Sequence, residues 1–151
     1  RVREEAVMRK AAIVFAAMMG ASMSQAHDVA AESGIRQVLE AHDCCERLDH
    51  TEITLVGEIS SGEQTFTIYS LWFVNPQSRH GMKRLAVTQG NEFLGSYIIS
   101  SWATPILEGE VVTFNCQDSS PCEGEDFAIV DGELPPRLWV DGEINQLEDT
   151  I

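Results

Sequence analysis

Basic residues are scarce in this chain: 10 Lys and Arg stand against 24 Asp and Glu in 151 residues, a formal charge of −14. Counterion release cannot draw such a chain onto a polyanion, so nucleic acid is not expected as a partner. Anionic lipid surfaces are disfavoured by the same field. Long hydrophobic runs are missing too. The longest, residues 11–21, falls well short of the roughly twenty residues that a bilayer span requires. No Gly/Ser/Pro-rich linker divides the sequence, which predicts one domain. There is no Gly-x-Ser-x-Gly elbow, and no pair of acids is identifiable by spacing as an acid–base couple. A catalytic role is therefore not the first expectation, although sites assembled from distant strands leave no local motif.

The short apolar run has a meaning of its own. Met8-Arg9-Lys10 precedes it, and Ser22-Met23-Ser24-Gln25-Ala26 succeeds it. A cationic start, a run of about eleven apolar residues and a Ser-x-Ala exit are the marks of a secretory signal peptide. We read 8–26 as the signal and 27–151 as a single exported domain, periplasmic or secreted, with no membrane insertion after signal removal. Cleavage after Ala31 is the weaker alternative. Residues 1–7 place two acids before the cationic start and fit the signal poorly. Four of the ten bases and two of the 24 acids precede residue 27, so cleavage takes the formal charge from −14 to −16.

Cys44, Cys45, Cys116 and Cys122 all lie beyond the signal. Four cysteines in an oxidising compartment predict two disulfides. A Cys44–Cys45 bridge would close a strained eight-membered ring. The expectation is therefore that the Cys44-Cys45 pair is tied to the Cys116–Cys122 loop by long-range bridges.

Along the chain, Asp28–Asp43 has helical spacing of Val29, Ile35, Val38 and Leu39, interrupted by Gly34. Beyond Asp43 the sequence reads as strand and turn. Strands are predicted at Thr51–Ile59, Thr65–Val74, Leu85–Thr88, Phe93–Ser100, Val111–Cys116, Phe127–Val130 and Leu138–Val140. Thr65–Val74 is apolar on both faces at its end and reads as central. Gly90-Asn91 predicts a hairpin turn. Val-Asp-Gly-Glu occurs at 130–133 and again at 140–143, where Asp-Gly supplies turn geometry. The last eight residues look loosely held. The predicted fold is α+β: an N-terminal helix packed on a curved antiparallel sheet or small open β-barrel of about six strands, with a helix-capped β-sandwich as the alternative. The core is expected from Phe66, Ile68, Trp72, Leu85, Val87, Phe93, Ile98, Val112 and Phe114.

Several constellations combine residues capable of chemistry. Arg79-His80-Gly81 resembles the phosphate-binding tripeptide of the histidine phosphatases, but no histidine comes after it, and that reading is set aside. His42, Cys44, Cys45 and His50 combine zinc-type ligands at a spacing unlike that of zinc sites. His27 would become the mature N-terminus, where amine and imidazole together can chelate copper. The acids of 108–149 are oxygen-rich but lack the alternating spacing of a calcium loop. No metal site and no cofactor is predicted from these.

Arg79, His80, Lys83 and Arg84 remain. Four basic or imidazole groups within six positions reverse the local potential of an acidic chain and predict a ligand- or partner-binding site for a small anionic ligand or a protein. Asn75-Pro76 and Gly81 suggest that a projecting loop carries them. The competing expectation is that these bases only neutralise Glu92 or acids of the C-terminal segment. The leading functional reading is a binding or interaction module. A small hydrolase acting on an anionic or saccharide substrate is the alternative, and a copper- or calcium-binding protein the second alternative.

Overall fold

The computed structural model describes residues 33–41, 50–74 and 81–149. The signal segment, His27, His42, Cys44, Cys45, Arg79 and His80 lie outside them. Among the described residues the chain is mostly antiparallel β-sheet with one short α-helix, α1, at 33–41. Nine strands come after it among the described residues: β1 (Thr51–Ser61), β2 (Gln64–Val74), β3 (Gly81–Gln89), β4 (Glu92–Ile99), β5 (Thr104–Glu108), β6 (Val111–Asn115), β7 (Phe127–Ala128), β8 (Arg137–Val140) and β9 (Glu143–Gln146). They form three open sheets, ordered β1-β2-β3-β4, β5-β6-β7 and β8-β9. The expectation of about six strands in one curved sheet or small barrel is corrected to nine strands in open sheets.

Strand β2 explains the layering. Successive side chains of a strand point to opposite faces, and β2 is apolar on both. Tyr69, Leu71 and Phe73 join Ala86 and Phe93 under Ile35, Val38 and Leu39 of α1. Those three helical residues recur at the spacing of one helix face. On the other face Phe66 and Ile68 pack with Leu85, Val87 and Tyr97, and with Val112, Phe114, Phe127, Leu138 and Val140 from β6, β7 and β8. The four-stranded sheet thus separates two apolar clusters. Most of the predicted core is buried, but Trp72 and Ile98 are only half-buried. Phe93 belongs with the helix rather than with Phe66.

Turn chemistry behaves as its residues require. Asp131 and Gly132, and again Asp141 and Gly142, have positive φ at both positions. Val130 pairs with Glu133 and Val140 with Glu143. The duplicated Val-Asp-Gly-Glu is one tight turn used twice, with the positive-φ pair that suits the twist of antiparallel strands.

Two further expectations are corrected. Cys116 bonds Cys122, which rules out long-range pairing of either with Cys44 or Cys45. The reason is local. Cys116 N–H donates to Ser120 O at 2.7 Å and Cys122 N–H to Phe114 O at 2.8 Å. The chain folds back on itself and brings the two Cα atoms to 4.9 Å, within disulfide reach. The described part of the C-terminal segment, up to residue 149, is also not loose. After β9, Glu148 exchanges two backbone hydrogen bonds with Ser96, each 2.8 Å, along the free side of β4. Leu147 packs into the second cluster and lies against Gly95.

Candidate functional site

Of the predicted basic cluster, Arg79 and His80 lie outside the described residues, and the placement of Lys83 and Arg84 on a loop is corrected. Strand β3 begins at Gly81, so Lys83 and Arg84 are strand residues inside the sheet. Lys83 pairs with Trp72 and Arg84 with Leu71, and adjacent strand residues face opposite ways. The two cations therefore do not share a surface. Arg84 lies on the helix side, 8% exposed, and donates to Ser96 Oγ at 3.0 Å and to Glu148 Oε2 at 2.6 Å. Its partner is an acid of the C-terminal segment, as the competing expectation had it.

Lys83 lies on the other face, in a different setting. Its Nζ donates to the Ala103 carbonyl at 2.8 Å and stands 5.7 Å from the centre of the Trp72 ring. Burial lowers the ammonium pKa below its usual value, and the nearby Glu52 carboxylate opposes that shift. Glu52, Trp72 and Lys83 form one cross-strand row, because Glu52 pairs with Trp72 and Trp72 with Lys83. Thr54 and Ser70 pair in the next row on the same face.

Strand β5 roofs this surface. It enters over β3, where Ala103 binds Lys83, and ends at β1, where the Leu107 side chain lies against Gly57. It thus crosses the sheet face obliquely. The space left beneath it is a cleft of about 600 Å³, of the size that holds small ligands. Glu52, Thr54, Ser70, Trp72 and Lys83 line its sheet side; Ser101 and Thr104–Leu107 line the other. Gly81 leaves room for the aromatic element, since the Trp72 indole lies so close over its Cα that a methyl group there would overlap the ring. Trp102, next to Ser101, is 62% exposed.

A smaller cavity, about 200 Å³, lies beside the Cys116–Cys122 loop, with Trp139 and the acids Glu108, Glu123, Glu125 and Asp126 around it. Among the described residues no three His, Cys, Asp or Glu side chains come together as a metal site, and no helix is long and apolar enough to cross a membrane.

Of the predicted site residues, Lys83 alone lines the larger cleft among the described residues. Glu52, Thr54, Ser70 and Trp72 were not anticipated. Their signal was present in part: Ser70 interrupts the apolar run of β2, which a wholly core-facing strand would not require. No family model, curated protein or solved structure matches the chain, so the reading of the cleft rests on its own residues.

Proposed function

We propose that the chain is an exported binding module whose ligand occupies the cleft beneath β5. The observation that carries this reading is the row Glu52–Trp72–Lys83: an aromatic ring flanked by one acid and one base inside a cleft of about 600 Å³. Pockets with an apolar platform and a few converging polar groups are the usual form of a small-ligand site. Export is supported by the signal pattern of 8–26 and is compatible with the Cys116–Cys122 bridge, since disulfides persist in oxidising compartments. Binding is favoured over hydrolysis because glycosidases of the common type need two carboxyl groups across the scissile bond, and Glu52 is the single carboxylate lining the cleft among the described residues.

The test is a thermal-shift screen of the mature protein against oligosaccharides, short peptides and organic acids, with each hit then titrated. A ligand of this site loses at least tenfold in affinity in Trp72→Ala and is unaffected by Trp139→Ala. Hits insensitive to Trp72 would refute the assignment. Intact mass of protein recovered from the producing cell checks export, with His27 expected as the first residue.

A further inference from the structure

We infer that the cleft recognises a neutral, hydroxyl-rich ring, that is, a saccharide held by its side-chain groups rather than a peptide held by strand addition. This deepens the binding reading above and rests on it. Three features of the cleft point to that ligand class.

The two strands that flank the cleft are poor templates for an added strand. Strand β5 carries Pro105, which has no N–H to donate. Strand β1 is broken in register between Leu55 and Gly57 by a bulge, and bulges interrupt the hydrogen-bond ladder. An extended peptide would find no regular row of donors and acceptors on either side.

The polar groups of the floor also exclude a purely apolar ligand. Glu52, Thr54 and Ser70 stand beside Trp72. Covering them with hydrocarbon would strip their water and leave them unpaired. They need a ligand that donates to a carboxylate and exchanges hydrogen bonds with hydroxyls. Trp72 needs one with a flat apolar face. A pyranose ring offers both, with C–H groups on its face and hydroxyls around its edge.

Charge then separates neutral from acidic sugars. Lys83 is the sole cation lining the cleft among the described residues, and Glu52 lies in its row. The ammonium already donates to Ala103 O. Its remaining N–H groups suit a hydroxyl oxygen, whereas an anionic ligand would meet Glu52 and the field of a chain of charge −14. Trp102, exposed on the turn that supplies Ser101 to the cleft, offers a second ring against which a longer saccharide can lie.

The experiment is a printed array of neutral and uronate- or sialate-bearing glycans probed with the mature protein, with a random short-peptide library in parallel. Hits are titrated by tryptophan fluorescence. The expected result is binding to neutral glycans that falls at least tenfold in Trp72→Ala and in Glu52→Ala, and several-fold in Trp102→Ala. Glu52 and Trp102 are exposed, so those two variants keep the test valid if Trp72→Ala fails to fold. Trp72- and Glu52-dependent binding confined to acidic glycans or to peptides would overturn the saccharide assignment and leave the cleft a binding site. No binding on either platform that depends on these residues would remove both readings.

Discussion

Replacing Glu148 with Gln keeps the shape of the side chain and removes one charge from the pair that anchors the C-terminal segment. Arg84 is 10% exposed at its side chain and Glu148 40%, with 2.6 Å between Nη1 and Oε2. Breaking a fully buried ion pair by removing one partner costs about 3–5 kcal/mol; an exposed pair is worth about 0–1 kcal/mol. This pair lies between those limits, and Ser96 Oγ still accepts from the guanidinium after the change. The expected loss is therefore about 2 kcal/mol. At about 4 °C per kcal/mol for a domain of this size, Tm falls by about 8 °C. Deleting residues 147–151 should do more, because the paired Ser96–Glu148 backbone bonds and the packing of Leu147 go as well; about 4 kcal/mol is expected. The assay is urea denaturation of the wild type, Arg84→Met, Glu148→Gln and the double variant. The two single changes should be strongly non-additive, with a coupling of at least about 1 kcal/mol. Additive losses, or a Glu148→Gln loss under about 0.5 kcal/mol, would refute the claim that this pair fastens the segment to β4. Affinity for a cleft ligand should not change in Glu148→Gln, because Arg84 faces the other side of the sheet.

The Cys116–Cys122 bridge closes a short loop, so Cys116→Ser/Cys122→Ser should lose only about 2 kcal/mol by the chain-entropy relation and remain folded by circular dichroism. Leu39→Ala, at a fully buried position between α1 and the sheet, should cost about 2–5 kcal/mol in denaturant unfolding. Gly81→Ala should displace the Trp72 indole and alter the near-ultraviolet circular dichroism. Lys83 titrates below its usual value because burial disfavours the ammonium. Between its folded and unfolded pKa values the unfolded chain binds more protons, so its contribution to stability rises with pH across that interval and is lost as pH falls through the folded value. Lys83 is the only lysine after Lys10, so nitrogen-15 NMR of its Nζ reads the midpoint directly; a midpoint at or above the usual lysine value would contradict the burial argument.

The elements whose signal is local were legible in the sequence. Strand β2 announced itself by β-branched and aromatic residues on both faces, and the repeated Asp-Gly gave two like turns. Strand β5 was hidden by Pro105, which demotes a segment as a strand unless it lies at an edge, as this one does. Strand β9, Glu-Ile-Asn-Gln, is too short and polar to stand out, and it forms because the Asp141-Gly142 turn folds it onto β8. The cysteine pairing was misjudged because the turn that brings Cys116 and Cys122 together depends on backbone bonds to Ser120 and Phe114, which composition does not reveal. The cleft was out of reach for a related reason. Glu52 and Lys83 come beside Trp72, and Thr54 beside Ser70, only through strand register, and β5 covers them through a contact between Leu107 and Gly57, which are far apart in the chain. Reading Lys83 and Arg84 as one cluster ignored the alternation that sends them to opposite faces once β3 extends to Gly81.

The central claim is that ligand binds over Trp72, and the chain carries its own controls in three tryptophans: Trp72 in the cleft, Trp102 next to the cleft residue Ser101, and Trp139 beside the acidic cavity. Indole N–H resonances of a nitrogen-15-labelled sample, monitored during titration with the strongest neutral glycan from the array, report on all three at once. The Trp72 resonance should shift saturably, Trp102 should move with it for longer glycans, and Trp139 should stay fixed. A shift confined to Trp139, or saturable binding by calorimetry with Trp72 unmoved, would contradict the account.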